Sequence, residues 1–232
     1  MDNSPRRSQA VASSLQTELR AEIDSRYVAA EHSRGWRMFY SDPSAFETGS
    51  VLLVGFNPGG NEPEWDRDRD RDRDRDGFVA RQFAYRYESW GGRAPGRSQL
   101  QQQVLALLES LGLEDHEVLA GNLVPFRSPS ASDLHDAARS VGFGRDIWRR
   151  VLAEWVPRLV IALGEHTAQE FAGLLSGTSA TESYVPGTPN GRYRCTRWNY
   201  AGGRLVHLPH LSRCRIIREG VEPVEVKALF SR

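Results

Sequence analysis

The sequence predicts a three-layer α/β/α protein built on a central four-stranded parallel sheet. Two observations carry this. The short, largely apolar runs Val51–Val54, Val118–Asn122, Leu159–Leu163 and Leu205–His207 have the length and composition of buried strands. Segments with helical character separate them, and strands alternating with helices form parallel sheets covered on both faces. A chain of 232 residues suits one domain with appended segments.

Each element has its own signal. Residues 8–33 lack Gly and Pro and are rich in Ala, Leu and Glu, which favours a helix. Val11, Leu15, Leu19, Ile23 and Tyr27 recur every four residues and give it one apolar stripe. This predicts an N-terminal helical segment, 1–45, packed on an α/β domain spanning 46–232. The first strand runs into Gly55 and Pro58-Gly59-Gly60, a tight loop. Asp66–Asp76 is a strict Asp-Arg alternation with no apolar residue. It cannot feed a core, and the stretch 62–77 is expected as a disordered insertion. An aromatic stretch follows, with Phe78, Phe83, Tyr85, Tyr87 and Trp90.

Ser98–Leu111 places Leu100, Val104, Leu107, Leu108 and Leu111 on one helical face, with Gly112 as a stop. Ser132 is a candidate cap for a helical region reaching Trp155, broken at Gly142–Gly144. His166–Leu175 reads as a short helix and Arg192–Tyr200 as a loose β-like stretch. Glu222–Phe230 reads as a terminal helix.

Charge narrows the partners only locally. Thirty basic residues balance thirty acidic ones, for a net charge of zero, whereas a nucleic-acid-binding domain is usually basic. Yet Ser183–Arg218 contains no Asp or Glu and carries Arg192, Arg194, Arg197, Arg204, Arg213, Arg215 and Arg218. Either that end faces phosphate, or acids from other segments balance it. No run approaches the ~18 apolar residues of a membrane helix, and the first residues lack an apolar signal core. A soluble, intracellular and cytoplasmic protein is expected. Cys195 and Cys214 lack metal or redox spacing, and the six histidines show no metal-binding pattern.

Ligands of such sheets bind beyond the carboxyl ends of the strands, and the polar motifs fall there. Gly55-Phe56-Asn57-Pro58-Gly59 follows the first strand. Its amide can hold a water, although NPG is equally a common turn. Asn122-Leu-Val-Pro125 ends the second strand. An amide there offers one donor and one acceptor to a flat heterocycle, or simply caps the strand. His207-Leu-Pro-His-Leu-Ser-Arg213 ends the fourth. His207 can donate to developing negative charge. Leu211, among arginines, is either an exposed wedge for duplex DNA or a core residue.

Together the three motifs resemble the uracil-DNA glycosylase superfamily. GFNPG is similar to the GxNPG of its mismatch-specific and single-strand-selective branches. HLPHLSR is similar to its last motif, HPSPLS or NPSGLSR. Asn122–Pro125 resembles a base-reading segment and Arg158–Gly164 the family's third strand. The resemblance covers roughly 51–218.

It implies a monofunctional DNA glycosylase that flips uracil, or a related deaminated or mismatched base, out of single-stranded or mismatched DNA. It implies neither metal nor organic cofactor, and a monomer. Asn57 would hold the hydrolytic water and His207 would stabilise the departing base. Gly55, Phe56, Pro58, Gly59, Asn122 and one aromatic, with Tyr87 the choice, would contact the base. Gly59 stands where uracil-restricted members carry a tyrosine that excludes the thymine methyl. His210, Leu211, Ser212 and Arg213 would meet DNA, Leu211 filling the gap left by the flipped nucleotide. The last motif departs from the pattern at Leu208, Pro209 and His210, so His210 stands in for the usual phosphate-contacting serine. Two other readings remain: a nucleic-acid binder of the same fold without the reaction, and a binder or hydrolase of free nucleosides.

Overall fold

The computed structural model describes residues 4–42, 44–60, 80, 82–186, 192–217 and 224–231. The expected insertion at 62–77, including the Asp-Arg run, and Phe78 lie outside them. Helix α1 (Ser4–Ala29) and the short α2 (Ala45–Thr48) precede β1 (Val51–Gly55). Then come α3 (Ala84–Tyr87), α4 (Gln99–Ser110), β2 (Val118–Asn122), α5 (Ala137–Glu154), β3 (Leu159–Leu163) and α6 (Glu165–Leu174). Strands β4 (Thr178–Pro186), β5 (Arg192–Tyr200) and β6 (Gly203–Leu208) and helix α7 (Val224–Phe230) complete the described elements.

The α/β architecture is as expected, but the sheet has six strands rather than four, in the order β2-β1-β3-β6-β5-β4. The four expected strands form its parallel part, while β5 and β4 add an antiparallel margin beyond β6. Strand β4 is polar, TSATESYVP, because an edge strand is held by its ladder and needs little apolar surface.

Side chains alternate across the sheet, and the two faces bury separate cores. Leu52, Val54, Val160, Ala162 and Leu205 join Leu19 and Ile23 of α1, Trp148 of α5 and Phe171 of α6. Val51, Leu53, Ile161, Val206 and Leu208 join Val104 and Leu107 of α4 and Leu229 of α7. Leu19 and Ile23 of the expected stripe are buried, with Leu15 and Tyr27 packed at its margin. Arg150 of α5 bonds both Glu18 and Glu22 of α1, an exposed pair that adds little beyond the burial.

Helix α5 differs from the sequence reading at both points of interest. It starts at Ala137 rather than near Ser132, because Ser130 bonds Asp133 in a tight turn and Asp136 takes a left-handed φ of 46°. It also continues unbroken through Gly142 and Gly144. Gly144 is a point of close approach: a Cβ there would lie 2.2 Å from the Leu123 carbonyl oxygen. One turn on, Trp148 Nε1 donates to the Asn122 carbonyl at 2.8 Å. The helix therefore seats the segment that carries Asn122.

Candidate active site at the carboxyl edge of the sheet

Strand register fixes where the motif residues stand. Gly55 aligns with Asn122 on β2. His207 aligns with Ala162 on β3, which in turn aligns with Val54 on β1. The motifs thus share one edge, in adjacent rungs. Alternation sends the side chains to different faces. Asn122 follows Val118 and Ala120 on the α4 face, whereas His207 follows Leu205 on the α6 face. The structure does not bring Asn122 and His207 onto one face. A ligand touching both sits over the edge itself, where Gly59 and Gly164 leave open space: a Cβ added at either meets nothing within 4 Å.

Asn57 is the most tightly determined of these residues. Its Nδ2 donates to Ser128 Oγ at 2.7 Å and faces the carbonyl oxygens of Pro58 at 3.1 Å, Phe126 at 3.2 Å and Ser128 at 3.5 Å. Carbonyl oxygens only accept, so the nitrogen must lie on this side and Oδ1 on the other. Among the described residues Oδ1 accepts no bond. The motif loop is braced by backbone bonds from Leu123 N to Gly55 O, Val124 N to Phe56 O and Ser128 N to Pro58 O. Pro58 is buried and Gly59 exposed. The Phe56 ring lies 5.0 Å from that of His166 on α6.

Asn122 is buried, and its Nδ2 donates to the Arg37 carbonyl at 3.0 Å. That leaves its Oδ1 and one amide hydrogen for a ligand. His207 is buried too, and among the described residues its ring makes no hydrogen bond. Burial lowers its pKa, Glu165 opposes that shift and Arg194 reinforces it. The ring is therefore neutral at neutral pH and carries one N–H donor.

The aromatic stretch divides sharply. Phe83 and Tyr85 are core residues, whereas Tyr87 is 53% exposed. Tyr85 packs against Trp90 and Tyr40, and its burial raises the phenol pKa. Tyr87 is the exposed aromatic among the described residues of 82–87.

At Leu211 the structure takes the core alternative and corrects the exposed wedge that the resemblance implies: Leu211 is fully buried among the α4-side core. Helix α4 explains why. Gln99 Nε2 donates to the carbonyls of Leu211 and Ser212, at 3.1 and 2.8 Å. Gln103, itself buried, donates to the carbonyls of Leu211 and Cys214 and accepts from the amides of Ile216 and Ile217. These bonds satisfy the backbone of the turn and turn Leu211 inward. Ser212 and Arg213 stay exposed.

His210 Nδ1 accepts from the Ser212 amide and lies 2.7 Å from Ser212 Oγ. Burial and Arg213 lower the His210 pKa, so a neutral ring with its proton on Nε2 fits. The cationic stretch is partly balanced: Arg194 pairs with Glu165 and Glu182, and Arg197 and Arg204 bond the Ser231 carbonyl.

Sequence reasoning missed Ser128, Gln99 and Gln103. Glutamines at 99 and 103 in QLQQQ, four apart, do lie on one helical face, but their targets are more than a hundred residues away. Among the described residues no group of His, Cys, Asp and Glu is arranged to hold a metal ion, and no helix is long and apolar enough to cross a membrane.

A search of the curated proteins finds no match. The model of the Uracil DNA glycosylase superfamily matches residues 45–219, which span β1 to β6 and all three motifs. With more than half of the chain matched, the protein belongs to the uracil DNA glycosylase superfamily.

Proposed function

We propose that the protein is a monofunctional DNA glycosylase that hydrolyses the N-glycosidic bond of uracil or a related deaminated or mismatched base. The orientation of Asn57 carries this reading. Its nitrogen is consumed by the protein and its oxygen is left facing outward, as a residue that holds a water requires. Water adds across the bond between the sugar C1′ and the base nitrogen. Its oxygen becomes the sugar hydroxyl, one proton staying there and the other ending on the released base. Asn57 Oδ1 accepts a hydrogen bond from the water and orients it, without removing a proton. Bond breaking runs ahead of attack, and the base departs as an anion to which neutral His207 donates. Asn122 supplies an acceptor and a donor to the base edge, and Tyr87, the exposed aromatic among the described residues of 82–87, stacks on the base.

The target is a base already out of the stack. A duplex target must first be opened, at a cost of about a few kcal/mol, which is least for a single strand. With Leu211 held inside by Gln99 and Gln103, the loop presents no apolar wedge to offset that cost. Arg213 and the neutral His210 remain for phosphate.

The test is incubation with uracil-containing oligonucleotides, single-stranded or opposite guanine or adenine, followed by alkali cleavage of abasic sites. Release is expected fastest from the single strand, and absent in Asn57→Ala. Salt-dependent binding of the same oligonucleotides without any base release on any lesion would instead identify a silent binder of the same fold.

A second expectation concerns the base. A side chain at Gly59 would point into open space, so Gly59→Tyr is expected to fold normally. It is expected to keep release of uracil while losing release of bases with a 5-substituent. Equal loss on both would show that residue 59 does not border the base.

A further inference from the structure

We infer that Ser128 is a positioning residue for Asn57, acting on the water-holding role proposed above and resting on that reading. Ser128 is buried. Its hydroxyl donates to the Ser130 carbonyl at 2.6 Å, so its oxygen lone pair is what meets Asn57 Nδ2 at 2.7 Å. Ser130 Oγ in turn donates to Asp133 Oδ2 at 2.6 Å, which closes the turn that holds the Ser130 carbonyl in place. The proton order is therefore directional, from Asn57 to Ser128 to Ser130. The Pro58 and Phe126 carbonyls complete a cage that accepts only from a donor. An asparagine fits it in one orientation, with Oδ1 outward.

The same cage rejects a carboxylate. An aspartate at 57 would turn an oxygen toward the carbonyl oxygens of Pro58, Phe126 and Ser128. It fits only when protonated, so lone-pair repulsion raises its pKa. The segment 126–130 thus commits this site to an amide rather than an acid.

The test combines turnover, rescue and a readout that needs no turnover. Ser128→Ala removes the acceptor, and Ser128→Cys keeps the volume while offering a weak one. Both are expected to lower kcat on single-stranded uracil substrate by about tenfold to a hundredfold, the loss that misplacing a reacting group brings. KM is expected to stay near wild type, and Ser128→Thr to restore kcat. Asn57→Asp is expected to be slower than wild type at neutral pH, with its rate relative to wild type rising as pH falls. The Asn57 side-chain amide protons, followed by NMR, are expected to exchange slowly in wild type and quickly in Ser128→Ala.

An Asn57→Ala variant as active as wild type overturns the water-holding reading itself. An inactive Asn57→Ala alongside Ser128→Ala with wild-type kcat and slow amide exchange overturns the positioning role alone. Asn57→Asp faster than wild type at high pH also overturns it, because the side chain would then not be caged.

Discussion

His207→Ala is expected to slow base release by about 10²–10³-fold, the effect of removing one donor from a site of developing charge, while oligonucleotide affinity stays nearly unchanged. The residue is buried on β6, yet its ring meets no partner among the described residues. Its ring nitrogens are not among the fully buried polar atoms that lack a partner, so they stay accessible to a ligand. Burial holds it neutral, which makes it a donor that adds no positive charge to the resting site. His207→Asn keeps a donor at the same strand end and is expected to retain more activity than His207→Ala. Single-turnover rates and equilibrium binding on the same oligonucleotide check this. Equal losses of rate and affinity would show that His207 shapes the binding surface instead.

The pH dependence follows from the direction of the shift. Because the folded pKa of His207 lies below the ordinary histidine value, its neutral form persists to lower pH in the folded protein than in the unfolded chain. Its contribution to stability is present above the ordinary value and is lost as pH falls through the lowered one. From neutral pH upward, the rate is expected to be flat as far as His207 is concerned.

The second large effect is on folding. Gly144→Ala is expected to destabilise the protein by about 1–3 kcal/mol, as overpacking of a rigid contact does. The new Cβ would lie 2.2 Å from the Leu123 carbonyl oxygen and 3.0 Å from its carbon, both backbone atoms that no rotamer change can move. Helix α5 must then lift from the 122–124 segment. With it shifts the bond from Trp148 to Asn122. Base release is expected to fall further than the loss of folded protein explains. Gly142→Ala is the internal control. A Cβ there meets nothing within 4 Å, and replacing a helical Gly by Ala where there is room gains up to about 1 kcal/mol. Denaturant titration of the pair distinguishes the two positions. Equal effects would mean that the glycines serve the helix alone and not its approach to β2.

Which parts of the fold were legible follows from what local sequence encodes. Strands β1, β2, β3 and β6 each bury a run of apolar side chains, and such runs stand out along the chain. Strand β4 does not, because its partner β5 supplies the ladder. Gly142 and Gly144 look alike in sequence, and together they predict a break in the helix. Only the neighbouring backbone of Leu123 separates them: an added Cβ meets nothing at Gly142 and a carbonyl at Gly144.

The site divides in the same way. The strand ends, the residue types Asn57, Asn122 and His207 that they deliver, and the family are all legible along the chain. Those depend on short segments and their order. Orientation depended on contacts between segments far apart. Asn57 is turned by Phe126 and Ser128, 69 and 71 residues away. Leu211 is drawn inward by Gln103, 108 residues away. Neither bond leaves a mark on the periodicity of its own segment. A hydrogen bond is set by the position of both partners, and only the packed tertiary structure fixes the second one.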